Sequence, residues 1–406
     1  MKRAIFNSLG SNYSTGFIRQ ARRLLWRPWL WSNQDTKEEL VNTLGSMYGG
    51  MVATFYKGRN GITAALETFG IGKGDGVLTQ AFTCWAVEEG IKESGAIPVF
   101  VDVAPNSINM NMADVTQRFK NSKTKNRIKA VLVQHTLGYP ADIKNIKRFC
   151  EKNNLVLIED LAHAAGADGV GQLADAVVLS FGRDKIIDGV SGGAVINKKS
   201  DITSKNSQEK YEQKLSAVSH WQTMMDLKYP LITRTIRNTY WFGWGKLFHW
   251  VLKKIGYMTS PIYSRVITIK DLSGAHAGLT LSSLRELKSN VTRRRKIVSI
   301  YYKELRRWSP QELVDWKKSS CLRYPVKVKN RNELIGALRK EKVYVGDIWY
   351  KRAVDEGSSK KRKSSYKDGS CPRAEELSAN VINLPTHMQV TGVMAKKIAK
   401  IVRTYV

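Results

Sequence analysis

Between residues 58 and 200, short apolar runs recur at 76–79, 97–102, 130–134, 155–160, 176–180 and 194–196, with helical patterns between most of them. Strands that alternate with helices are joined by crossovers lying on the sheet faces, so the pattern predicts a largely parallel sheet wrapped by helices. The alternation breaks between about 205 and 270. It resumes with a helix from about 280, a strand at 323–328, a second helix near 331–341 and a last one near 390–404. The expected fold class is α/β, with a mainly parallel central sheet and a smaller C-terminal α+β domain. The expected division is an irregular N-terminal arm at 1–50, a large domain at 51–270 carrying a helical insertion at about 205–270, and a small domain at 271–406. A chain of 406 residues fits two to three domains. No internal repeat interrupts this reading.

Lys185 follows the run at 176–180 and precedes the turn Asp188-Gly189-Val190-Ser191-Gly192-Gly193, 25 residues after Asp160 of the pair Glu159-Asp160. Asp160 ends the run at 155–160, so it belongs at the carboxyl end of a buried parallel strand, where ligands of open α/β sheets bind. An amine and a carboxylate so placed suit pyridoxal 5'-phosphate, whose aldehyde is held by a lysine while its ring nitrogen stays protonated beside an acid. For an isolated pair the blander reading is a solvated lysine and an Asp capping the next helix. Further upstream, Lys57-Gly58-Arg59-Asn60-Gly61 leads into 62–66. A glycine turn opening a helix offers free N–H groups and a favourable dipole to a phosphate, and Ser180 can add a hydroxyl.

The formal charge of +31 attracts anions without choosing among nucleic acid, lipid and small molecules. The basic runs at 292–296 and 360–363 read as a helix face and a loop, and no nucleic-acid-binding signature accompanies them, so no nucleic-acid partner is expected. Cys84, Cys150, Cys321 and Cys371 are scattered without metal-ligand spacing, and no metal is expected. No run of about 18 uncharged apolar residues is present, which predicts no membrane span. The basic start Met1-Lys2-Arg3 lacks the apolar core of a signal peptide. A cytoplasmic, reduced protein is the expectation.

The segment 221–257 interleaves Trp221, Tyr229, Tyr240, Trp241, Phe242, Trp244, Phe248, Trp250 and Tyr257 with Lys228, Arg234, Arg237, Lys246, Lys253 and Lys254. Such a pattern suits either a helix lying among anionic headgroups, peripheral at the inner face of a membrane, or an insertion packed on a dimer partner or on the aromatic-basic stretch 22–31. His135 reads as a structural histidine fixing the turn into Gly138 and Pro140, with a substrate contact as the alternative. Arg183 either holds a substrate phosphate or carboxylate or pairs with Asp184 or another acid. The loop at 351–368 is rich in Ser, Lys and Gly, which predicts a mobile segment that orders over substrate.

A resemblance rests on an ordered set of motifs: Gly58-Arg59 through Gly70-Ile71-Gly72-Lys73-Gly74-Asp75, Gln80-Ala81-Phe82-Thr83-Cys84, Gly95 through Asp102, Gln134-His135-Thr136-Leu137-Gly138, Glu159-Asp160-Leu161-Ala162-His163, Ser180 through Lys185, Gly192-Gly193 and Asn383-Leu384-Pro385-Thr386-His387. Together they resemble the DegT-type (DegT/DnrJ/StrS) nucleotide-sugar aminotransferases from about residue 55 onward. The resemblance implies a fold type I pyridoxal-phosphate enzyme, a homodimer, that transfers an amino group from an amino acid such as glutamate to a nucleotide-linked ketosugar for surface polysaccharide or glycoconjugate synthesis. It implies Lys185 as the Schiff-base lysine and proton shuttle, Asp160 as the partner of the pyridinium, and His163 beside the ring or its phenolic oxygen. Gly58, Arg59, Asn60 and Ser180 match the phosphate cup, and either Cys84 or Trp85 stacks on the ring. Two departures stand out: Val190-Ser191 precede the paired glycines where many relatives carry Gly-Glu, and Gly58-Arg59 replaces the commoner Ser-Gly-Thr. Another pyridoxal-phosphate activity on sugars, and a non-catalytic regulatory or membrane-surface protein keeping the fold, are the alternative readings.

Overall fold

The computed structural model describes residues 4–121, 128–199, 215–258, 269–356 and 364–406. The run at 360–363, part of the loop at 351–368, and the segments 205–214 and 259–268 of the insertion lie outside them.

A seven-stranded sheet forms the centre. Its strands are β1 (Met51–Phe55), β2 (Gly76–Gln80), β3 (Ile97–Val101), β4 (Ile128–Gln134), β5 (Val156–Asp160), β6 (Ala176–Ser180) and β7 (Gly193–Asn197). They lie in the order β1-β7-β6-β5-β4-β2-β3. The block from β6 through β3 is parallel, while β7 runs antiparallel to both β6 and β1. The six apolar runs are six of these strands; the seventh, β1, is an edge strand that the alternation did not reveal. Leu78, Val131, Leu132, Leu157, Ile158 and Val177 are fully buried because helices cover both faces.

Within the stretch expected to be an irregular arm, residues 15–25 and 34–48 are helices. Helix α1 (Thr15–Leu25) is capped by the Ser14 hydroxyl, which accepts from the Phe17 N–H at 2.9 Å. Helix α2 (Gln34–Tyr48) is capped by Asn33, whose side-chain oxygen accepts from the Thr36 N–H at 2.7 Å. An 11-residue helix is marginal alone. Helix α1 persists because Phe17, Ile18, Ala21 and Leu24 bury one stripe in a cluster with Leu227, Tyr229, Ala275 and Leu279.

Three later helices complete the frame of the site: α3 (Gly58–Thr68), α4 (His220–Thr239) and α5 (Trp244–Lys254). The C-terminal region builds an antiparallel pair, Arg323–Lys327 with Val381–Pro385, covered by helices Leu287–Leu305, Arg331–Lys340 and Gly392–Val402. Its core takes in Ala81, Phe82, Phe100, Leu137 and Tyr139 from the carboxyl ends of β2, β3 and β4. The C-terminal region therefore sits against the edge of the sheet where Asp160 ends β5.

Candidate active site

A cavity of about 900 Å³ opens at this edge. Asp160 ends β5 on its floor, nearly buried, and one carboxylate oxygen accepts from the Ala162 N–H at 2.9 Å. Burial raises its pKa, opposed by that N–H and by the charge of Lys185. Lys185 reaches the same cavity from the turn after β6; its carbonyl accepts from the Asn12 side chain at 2.9 Å, which ties the turn to the N-terminal segment. Loss of solvent lowers the amine's pKa, with Cys84, Asp160 and Asp184 pulling the other way. The arrangement thus joins an amine of eased deprotonation to a buried acid.

His163 follows β5 by a short turn. Its Nδ1 accepts from the Leu137 N–H at 3.2 Å, which assigns the remaining ring proton to Nε2. Burial, then Lys185 and Arg323, push its pKa well down, so the imidazole is neutral at pH 7. The ring stacks on Trp349 at a centroid distance of 5.1 Å and an interplanar angle of 16°. Trp349 also meets the Lys185 amine, 4.9 Å from its centroid. Nothing in the local sequence marked Trp349 or its cavity-lining neighbour Tyr350, because they come from a segment with no periodic pattern.

The phosphate-type element is the start of α3. The side chain of its Ncap residue Lys57 makes no capping hydrogen bond. Gly58 presses so closely on β6 that a Cβ there would stand 2.8 Å from the Ser180 Cβ, and a Cβ at Gly193 would stand 2.4 Å from the Gly58 Cα. Lys57 lines the same end, its pKa pushed down to about 8 mainly by burial. Arg59 also lines the cavity, and its guanidinium forms an ion pair with Glu89. Asn60 is fully buried, and its side-chain amide has no hydrogen-bond partner among the described residues. Both Cys84 and Trp85 pack against the C-terminal core, and of the two Cys84 lines the cavity.

Residues singled out individually fall into place by partner. His135 is buried and structural: Nε2 meets the Glu159 carboxylate at 2.9 Å and Nδ1 accepts from the Ala141 N–H at 3.0 Å. The acid partner of Arg183 is Asp226 of α4 at 3.5 Å, and its guanidinium lies 3.7 Å from the centroid of the Tyr229 ring. Asp226 also accepts from the Tyr56 hydroxyl at 2.6 Å and meets His276 Nε2 at 3.1 Å. Burial alone would raise its pKa, yet His276, Arg183 and Tyr56 hold it down to about 2.

The donor set fits pyridoxal phosphate: an amine of lowered pKa, a buried acid, and an uncapped helix start pressed against a serine. Among the described residues, no group of three or more His, Cys, Asp or Glu is gathered as for a metal ion.

Comparison with known proteins places this site in a family. The model of the DegT/DnrJ/EryC1/StrS aminotransferase family matches residues 18–222 and 259–403. GDP-perosamine synthase of Vibrio cholerae is 30% identical over 182 residues, which are 44% of this chain and 48% of that protein. The match thus spans about half the length of that relative. A family member from Brucella abortus has a TM-score of 0.71 at 21% identity, covering 96% of this chain and 95% of its own. NtdA of Bacillus subtilis, solved with bound cofactor PMP, has a TM-score of 0.73 at 16% identity, covering 98% and 86%. With both halves of the chain matched and the fold shared end to end, the chain belongs to the DegT/DnrJ/EryC1/StrS aminotransferase family.

Proposed function

We propose that this chain is a pyridoxal-phosphate-dependent aminotransferase that moves an amino group from an amino acid, glutamate being the first candidate, to a nucleotide-linked ketosugar in surface polysaccharide or glycoconjugate synthesis. The observation that carries the reading is Lys185 and Asp160 meeting in one cavity at the carboxyl ends of parallel strands. The name of the Vibrio cholerae relative supports the sugar-nucleotide part.

Pyridoxal phosphate, when bound, supplies an electron sink that eases loss of a proton from the neighbouring carbon. Lys185 would hold it through Nζ, and its amine of lowered pKa would serve as the base that moves the proton. Asp160 would pair with the protonated ring nitrogen, and the Ala162 N–H that it accepts keeps the carboxylate oriented. Neutral His163, its ring proton on Nε2, would donate to the cofactor's phenolic oxygen. The start of α3 at Gly58, with Ser180, would receive the phosphate, and Arg59, which lines the cavity, and Asn60 would belong to the same cup. Cys84 borders the ring position. Exclusion of water by the C-terminal region strengthens each of these interactions.

The reading includes a homodimer, a boundary between large and small domains near 270, a cytoplasmic location, and a contact of 221–257 with an anionic membrane surface. The surplus positive charge would steer a diphosphate-bearing substrate to the cavity. The decisive experiment is the absorbance spectrum of the protein with pyridoxal phosphate, before and after glutamate, beside Lys185→Ala. A visible band that glutamate bleaches and the variant lacks supports the reading. Absence of any such band from folded wild type refutes it.

A further inference from the structure

The family match skips residues 223–258 and resumes at 259. The skipped stretch is most of α4 and all of α5, so the aromatic-basic helices lie where this chain's sequence departs from the family pattern. Their anchorage is clear. Arg183 and His276 hold Asp226 of α4, and Leu252 of α5 packs in a small cluster with Phe6, Leu9 and Ile236. Tyr240 meets Phe6 edge-on at 4.9 Å and Tyr344 at 5.3 Å.

What the anchorage leaves outside is an apolar stripe. Trp244, Leu247, Phe248, Val251 and Ile255 follow the spacing of one helical face and are between 39% and 72% exposed. A soluble surface helix normally turns such a face inward, and here Gly245 and Leu252 occupy the inward side instead. Exposed apolar patches of this kind mark an interaction site. Charge selects the occupant. Between 221 and 257 the sole acid is Asp226, which is buried, whereas Lys246, Lys253 and Lys254 are exposed around the stripe. A second copy of the same face would bring these ammonium groups against one another, whereas anionic headgroups would neutralise them.

We propose that α5 is an interfacial anchor, its Trp244–Ile255 stripe inserted among the lipids of an anionic membrane surface and its lysines at the headgroups. Helix α5 also walls the cavity through His249 and Lys253, so seating it sets the cavity mouth beside the bilayer. The anchoring deepens the membrane-surface contact of the proposed function and is separable from its chemistry, whereas that last consequence rests on the aminotransferase reading.

The test is co-sedimentation of the cofactor-loaded full chain with vesicles of phosphatidylglycerol and phosphatidylcholine, against vesicles of phosphatidylcholine alone, with cofactor absorbance and molecular mass recorded on the same samples. Binding to the anionic vesicles that weakens with salt, and falls at least tenfold in the triple variant Trp244→Ser/Leu247→Ser/Val251→Ser, is expected. A charge variant, Lys246→Glu/Lys254→Glu, should lose binding with the apolar stripe intact. Failure of wild type to sediment with anionic vesicles overturns the anchor even where cofactor absorbance is normal, which leaves the aminotransferase reading standing. Vesicle binding equal in wild type and both variants also overturns it. So does a fall in molecular mass in the triple variant with binding unchanged, which would make the stripe an interface between copies.

Discussion

The Lys185 amine lies 4.9 Å from the centroid of the Trp349 indole, and His163 stacks on the same indole. The tryptophan thus sets the position of two site groups at once. Trp349→Ala removes a stacking partner whose contribution beyond area is about 0.5–1.5 kcal/mol. Affinity for pyridoxal phosphate, measured by absorbance titration, is expected to fall roughly tenfold. Unchanged affinity would separate Trp349 from the site.

The amine itself sets a pH dependence. Burial lowers the folded pKa of Lys185, so the free base that captures an aldehyde is populated at lower pH than for an ordinary lysine. The rate of cofactor capture should therefore rise with pH through a midpoint below the ordinary lysine value. A midpoint at or above that value in a stopped-flow pH series contradicts the burial argument.

Gly58→Ala puts a methyl group 2.8 Å from the Ser180 Cβ. The start of α3 must move away from β6, at a cost of about 1–3 kcal/mol typical of overpacking. Affinity for pyridoxal phosphate should drop more than affinity for pyridoxal, which lacks the phosphate. Equal losses for the two would place the phosphate elsewhere.

Asp226 anchors α4 to the site. Its folded pKa is depressed from 3.8 to about 2, so its ionised form stabilises the fold by ~2 kcal/mol. For a depressed acid that contribution is complete above the unfolded value and fades as pH falls through the folded one. Urea unfolding of wild type should therefore weaken as pH drops from about 5 toward 2. Asp226→Asn should be less stable at pH 7 and should lack this part of the pH slope. A variant with the wild-type slope would assign the acid dependence to other carboxylates.

How much of this was legible from residue order depends on the range of the forces involved. Six strands announced themselves because a strand buried on both faces must be apolar along most of its length, as 130–133 and 155–158 are. Strand β1 did not, since an edge strand of five residues beside Gly49-Gly50 carries no crossover signal. The helices at 15–25 and 34–48 were hidden for another reason: each is held by a stripe buried against distant residues, Phe17, Ile18, Ala21 and Leu24 against Leu227, Tyr229, Ala275 and Leu279, and Leu40, Leu44 and Tyr48 in the main core with Leu272, Ala277 and Leu281.

The sequence by itself determined the parallel sheet, the lysine and the acid at its carboxyl edge, and the glycine start of α3, because each depends on residue type at a strand or helix end. Only the tertiary structure decided that Cys84 rather than Trp85 borders the cavity, that Arg183 answers to Asp226, that Trp349 joins Lys185 to His163, and that the apolar stripe of α5 points outward. Those relationships join residues far apart in the chain, and which side chains meet across such distances is set by how the elements pack, a property that no local spacing encodes.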